Sequence, residues 1–434
     1  MKLWLCVCLF SWVVLGQGDP DPWELQLSRA NILARQGKFS EAEQAYLECI
    51  KLAEPFANDD LRKAKAWNNL GALYHQTGRY ADAEVLYLKA LPAYNELKGM
   101  ARAAYASVVN NLAEVYRMRG RYREAEAMFR KSITERETHN PKDKDIAAPM
   151  NNLAVLLNLQ GHPQEAEQFV RRAIATWEAA SGDNSRNVAS GYNTLGEALR
   201  LLGRFQESEQ AHRKALALRA QALPEGHPEI ATGLSNLGSV LYLQGKYADA
   251  EKLYLQALGI REKALGPNHS GIAFLLNNLG TALQAQGKGI EAENHYRRAI
   301  EMLEAAGAAG HTDYSKAVEN LALLFVGQGK MKGAEGLYLR ALAVREKALG
   351  QNSPLLGETY DTLAQFYLSA GRSTEAERYL RKAVEAKESA FGPQSEQVAQ
   401  GLTRLGNLYR SQNRDSQAER VHNRANLIRS LIRQ

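Results

Sequence analysis

Little in this 434-residue chain could cross-link it. Of its three cysteines, Cys6 and Cys8 lie in an apolar stretch at the N-terminus, so Cys49 stands alone in the rest of the sequence. That excludes an internal disulfide and a thiol-based metal cluster there. With only 12 prolines, 45% hydrophobic residues and 24% charged residues, the composition is not collagenous, disordered or disulfide-dense. No apolar run beyond the N-terminal stretch is long enough to cross a bilayer. Catalytic signatures are missing too. There is no H-E-x-x-H, G-x-S-x-G, Walker A or strand-to-helix G-x-G-x-x-G pattern. Gly280 to Lys288 superficially suggests a phosphate loop, but its glycines are seven apart and Gly289 follows the lysine where Ser or Thr would be needed. The expectation is a protein without a catalytic site, cofactor or metal, and nucleic acid is not expected as a partner.

Lys2 precedes an apolar run from Leu3 to Leu15, and Gly16 and Gly18 supply small residues for a signal peptidase. Residues 1–18 therefore read as a secretory signal, with a mature chain starting near Gln17 or Asp19 in the periplasm or outside the cell. A short uncleaved anchor is the alternative, although the run falls short of the roughly 20 residues that span a bilayer. The formal charge of +6 is unevenly placed. Residues 404–434 hold seven arginines against Asp415 and Glu419, while residues 19–403 sum to zero. This basic C-terminal cap reads as a charged outer face that stops a stack from extending, or as a contact for an anionic partner.

One unit recurs along the chain. Gly37, Gly78, Gly120, Gly161, Gly203, Gly245, Gly287, Gly329, Gly371 and finally Asn413 follow one another at 41 or 42 residues. Eight residues before each stands a leucine, from Leu70 to Leu405, with Arg29 the exception, and beside it Gly or Ala. A large apolar residue comes four before the turn, for example Tyr74, Tyr116 or Phe325. These spacings make one face of a first helix. After the turn a second helix carries Ala at the fifth position and Glu at the sixth, from Glu43 to Glu419. In several repeats Arg follows the Glu by four, as in Glu126 with Arg130 and Glu377 with Arg381, the favourable order on a helix. A glutamate present in every unit reads as structural. Cys49, where other units have Ala90, Ala173, Ala215 or Ala257, reads as a small buried residue. His227 and His269, 42 apart in equivalent connectors, read as caps or packing groups.

This succession of Leu with Gly or Ala, then Tyr, then a turn Gly, then Ala in a second helix resembles the tetratricopeptide repeat. The usual unit is about 34 residues. The extra length here, seen in "ALGIREKALGPNHSGIA" at Ala257 to Ala273, is similar to the long repeats of kinesin light chains and their bacterial, secreted relatives. The resemblance implies an all-α, right-handed superhelical solenoid of about ten repeats over residues 19–434, acting as a protein-binding scaffold. No heptad segment precedes the array, so motor binding is not implied. Unit one and the last unit are atypical, as capping repeats are. Pro163 and the "AAGAAGHTDYS" connector at Ala305 to Ser315 are soft spots where curvature could change.

Immediately before the core leucine stand Asn69, Asn111, Asn152, Asn236, Asn278 and Asn320, interrupted by Thr194 and Thr362. Asn is a poor helix former, so its recurrence within a helix needs a reason. The resemblance implies that first helices line a concave groove and that this Asn contacts the backbone of a bound peptide. Lys65, Arg117 and Arg200 lie one or two turns along the same helices and complete the expected groove. Two alternatives stay open: the Asn line ties one repeat to the next, or the solenoid organises a cell-envelope complex through its edges and convex face.

Overall fold

A computed structural model describes residues 21–57, 60–98, 102–140, 143–180, 185–308, 310, 312–349 and 354–432. The expected signal at 1–18 lies outside the described residues. Among these residues there are twenty α-helices and no strand. The chain divides into two compact units, up to Arg204 and from Phe205 onward, so the boundary falls beside the repeat turn at Gly203. No helix among the described residues is long and apolar enough to cross a membrane.

The first unit contains α1 (Pro22–Arg35), α2 (Phe39–Leu52), α3 (Leu61–Gln76), α4 (Tyr80–Asn95), α5 (Arg102–Met118), α6 (Tyr122–His139), α7 (Ala147–Gln160), α8 (Pro163–Ala179) and α9 (Ser185–Leu201). Odd-numbered helices are the first helices of repeats. Each from α3 to α9 packs on the second helix of the preceding repeat, and α5 also touches α7, and α7 touches α9. The second unit contains α10 (Phe205–Ala222), α11 (Pro228–Leu243), α12 (Tyr247–Leu265), α13 (Ala273–Ala285), α14 (Gly289–Ala305), α15 (Thr312–Gly327), α16 (Met331–Leu349), α17 (Pro354–Ser369), α18 (Ser373–Phe391), α19 (Glu396–Ser411) and α20 (Asp415–Ile432). Its helices follow the same alternation.

The turn glycines have φ between 71° at Gly329 and 79° at Gly78, and Asn413 takes φ 59° in the last repeat. A left-handed residue lets the next N–H fold back onto the helix it has left: Arg79 N donates to Tyr74 O at 2.8 Å, and Lys288 N to Leu283 O at 2.9 Å. The helix end is thereby capped without a side chain. The small residue beside each core leucine has a packing reason. A Cβ on Gly280 would stand 2.5 Å from Cε1 of Tyr296, a fully buried ring on the second helix of the same repeat. Glycine lets that aromatic ring lie against the first-helix backbone.

Other sequence readings find concrete forms. His227 Nδ1 accepts from Glu229 N at 3.2 Å, and His269 Nδ1 from Gly271 N at 3.0 Å, so both histidines are caps. Pro163 occupies the first turn of α8, where its missing N–H leaves no bond unmade. Cys49 is fully buried, and burial pushes its thiol up to about 11, which leaves it protonated and inert at neutral pH.

Candidate functional site: the first-helix face

Positions separated by three, four or seven residues share one face of a helix. On α5 this places Asn111, Glu114 and Met118 together; on α7, Asn152, Val155 and Leu159. All six predicted asparagines, Asn69, Asn111, Asn152, Asn236, Asn278 and Asn320, are half-buried, and Lys65 is exposed on α3.

The amides are used between repeats. Asn111 Nδ2 donates to Asn68 Oδ1 at 3.3 Å, and Asn152 Nδ2 to Asn110 Oδ1 at 3.3 Å. In the second unit Asn320 Nδ2 donates to Asn277 Oδ1 at 2.9 Å. In these pairs the residue before the core leucine reaches the residue two before the leucine of the preceding repeat. At two of the positions where the amide is replaced, a rung persists. Thr362 Oγ1 stands 3.4 Å from Glu319 Oε1, its single proton shared with Glu358 O of its own helix at 3.0 Å, and Arg404 Nη1 meets Asp361 Oδ2 at 2.7 Å. At Thr194 the hydroxyl turns to Ser190 O of its own helix at 3.1 Å, and the buried Oδ1 of Asn151 is left without a partner among the described residues. Asn69 differs, donating at 3.1 Å to Asn31, which follows the core position of the first repeat by two.

A rung consumes one N–H of each donor amide and leaves its carbonyl and second N–H for other partners. Seven residues beyond these positions, on the same face, are exposed apolar side chains: Met118 at 42%, Leu159 at 59% and Leu201 at 40% in the first unit. The charges between them are balanced. Arg117 pairs with Glu114 at 2.9 Å and Arg200 with Glu197 at 2.6 Å, each on its own helix. The face is thus polar, near neutral and studded with apolar groups. Sequence spacing places the amides and arginines on it but does not single out the apolar line.

Sequence reading also misses the second partner of the recurrent Glu. The helical pairs exist, as between Glu167 and Arg171 at 2.7 Å. Most of these glutamates also reach forward to the base after the next turn: Arg79 to Glu43 at 2.8 Å, Arg121 to Glu84 at 2.7 Å, Arg204 to Glu167 at 2.7 Å, Lys288 to Glu251 at 2.8 Å and Arg372 to Glu335 at 2.8 Å, whereas Glu126 accepts from Gln160 at 3.1 Å. The recurring interval of 36 or 37 residues was available as the signal. Hydrogen bonds from Tyr74 and Arg79 hold the Glu43 carboxyl below its usual value, and burial and the Glu43 bond push the Tyr74 hydroxyl up to about 12. In the basic cap, Arg404, Arg414, Arg424 and Arg429 are paired with Asp361, Glu377, Glu388 and Glu396 respectively. Much of the terminal positive charge therefore closes the last repeats onto those before them.

Tetratricopeptide repeats match residues 24–96, 62–138, 99–179, 145–221, 229–305, 313–389 and 363–425. No curated protein matches the chain. Among solved structures, the apo quorum sensor NprR from B. thuringiensis is 17% identical with a TM-score of 0.58, covering 84% of this chain and 98% of its own. A Rap protein complexed with competence and sporulation factor is 15% identical with a TM-score of 0.52, covering 91% and 100%. A putative kinesin light chain from Podosopora anserina with nearly identical repeats is 20% identical with a TM-score of 0.41, covering 48% and 99%. At these identities the likeness to NprR and the Rap protein is one of fold.

Proposed function

Because the chain belongs to the tetratricopeptide repeat family, we propose that it is a non-enzymatic scaffold that binds a polypeptide segment along its first-helix face. The observation that carries this reading is the register of half-buried amides with exposed apolar side chains seven residues on, Asn111 with Met118 and Asn152 with Leu159. An amide offers a donor and an acceptor to an extended backbone without demanding one side chain, while the apolar groups take up alternate ligand side chains. Lys65 adds a positive charge to that face, while Arg117 and Arg200 are balanced by Glu114 and Glu197 on their own helices. A Rap protein of the same fold is solved with competence and sporulation factor bound. The test is a random dodecapeptide array probed with the full chain and with Asn111→Ala/Asn152→Ala. Peptides bound by the first and lost by the second support the reading; an array on which no peptide is bound overturns it.

A second reading has its own observation. Ten residues after the turn glycine, on second helices, stand the exposed Leu47 at 42%, Leu88 at 46%, Leu255 at 48% and Leu339 at 38%. They favour an assembly role in which the second-helix surface contacts other components. Export is part of the proposal: residues 1–18 direct the chain out of the cytoplasm, and N-terminal sequencing of the mature protein should begin near Gln17 or Asp19. An intact Met1 on a cytosolic protein would contradict it.

A further inference from the structure

Where the second unit departs from the Asn pattern, the same face opens into a socket. Glu319 stands on α15 two residues before the core leucine, where other repeats carry Asn110, Asn151 or Asn277. It lies at a cavity of about 360 Å³ between α15 and α17. Leu323, Val326, Tyr338 and Phe366 supply apolar walls, with Leu323 56% exposed and the two rings nearly buried. Among the described residues the carboxylate has one direct side-chain bond, a long one of 3.4 Å from Thr362 Oγ1, a hydroxyl that also reaches Glu358 O at 3.0 Å.

The equivalent position one repeat later shows what this carboxylate lacks. Asp361 is held directly by Lys387, a buried side chain sixteen residues past its turn glycine. The corresponding base for Glu319 is Arg345, and its Nη1 turns away to Thr359 Oγ1 at 2.5 Å and Leu355 O at 3.4 Å, leaving Nε and Nη2 unpartnered among the described residues. Burial raises the Glu319 carboxyl, offset in part by the nearby charges of Arg345 and Lys316 and reinforced by Glu358. A carboxylate in an apolar recess with one weak donor is under-bonded, and a hydrogen-bonding cation would complete it.

We propose that the socket between α15 and α17 receives a lysine or arginine side chain of the bound polypeptide, its aliphatic stem against Leu323, Val326 and Phe366 and its cationic head on Glu319. Long basic side chains match this division into apolar length and charged tip. The assignment rests on the groove reading above and adds a side-chain preference to it.

The probe is a pair of fluorescein-labelled degenerate dodecapeptide pools, identical except that one central position is fixed as lysine or as norleucine, its uncharged near-isostere. Anisotropy titrations use the full chain. The lysine pool should bind about tenfold more tightly than the norleucine pool. Glu319→Gln should reduce that ratio to below about twofold while leaving the norleucine affinity in place, which also reports that the variant is folded. Equal binding of both pools to the unaltered chain overturns the socket and leaves the groove reading standing. Binding of neither pool removes both.

Discussion

The two units share one rung geometry, and the second adds a different chemistry to it. In the first, Asn111 and Asn152 reach neighbouring asparagines at 3.3 Å, neutral groups exchanging one hydrogen bond. The second keeps an amide rung between Asn320 and Asn277, but its rung at α17 and α19 is ionic, with Asp361 gripped by both Lys387 and Arg404 while its Oδ1 has no partner among the described residues. Neutral amides are desolvated cheaply and lose little when one is removed. A buried ion pair contributes little net stability when formed, yet losing one partner strands a charge. The same backbone position is therefore tolerant where the rung is amide and brittle where it is ionic.

The largest expected effect breaks that contrast at its brittle end. Asp361→Ala should destabilise the second unit by about 3–5 kcal/mol, because Lys387 remains buried without a counter-charge. Urea unfolding of the full chain, followed by circular dichroism, would show it as an early transition. A loss below about 1 kcal/mol would mean that Lys387 escapes to solvent. Next in size is Gly280→Ala, whose methyl meets the ring of Tyr296. It should cost about 1–3 kcal/mol in the same assay.

Acid should weaken the clasps as well. The Arg414 bond, with Arg381 and Tyr409, draws the Glu377 carboxyl down from 4.5 to about 2. A depressed carboxyl contributes stability that is complete above its unfolded value and disappears as pH falls through the folded one. The melting temperature should therefore exceed that of Glu377→Gln by about 2 °C near neutrality, and the gap should close between about pH 4.5 and 2. A gap that persists at pH 2 would assign the effect to packing. The smallest change belongs to the tolerant end. Asn111→Ala/Asn152→Ala removes two bonds of about 0.5–1.5 kcal/mol each, partly offset by alanine's helix propensity, roughly 0.5 kcal/mol per site. Its melting temperature should move by only a few degrees, in contrast to the collapse expected of Asp361→Ala.

Periodicity made the fold legible because a residue that must be left-handed, a residue that must be small and a leucine that must be buried each recur at fixed distances. Gly78, Gly280 and Leu112 could be read without coordinates. The Asn positions were equally visible, and their bonding between repeats was one of the two readings the sequence left open. The partner of the recurrent Glu escaped attention since helical spacing supplies a nearer arginine, as Arg130 does for Glu126, and a base 36 or 37 residues away is adjacent only once helices stack. The Glu319 socket could not be read at all. It depends on which way the Arg345 side chain turns, and that is settled by Thr359 and Leu355 in the next repeat.

The central claim is that ligand lies on the first-helix face rather than on second helices. Leu159 and Leu88 are both exposed leucines of the first unit, one on each surface. A fluorescein-labelled peptide selected from the dodecapeptide array should be titrated against Leu159→Lys and Leu88→Lys in the full chain. The account predicts that Leu159→Lys weakens binding at least about tenfold, or roughly 1.4 kcal/mol, and that Leu88→Lys leaves it within about twofold. The reverse pattern would contradict the groove and place the partner on the second helices.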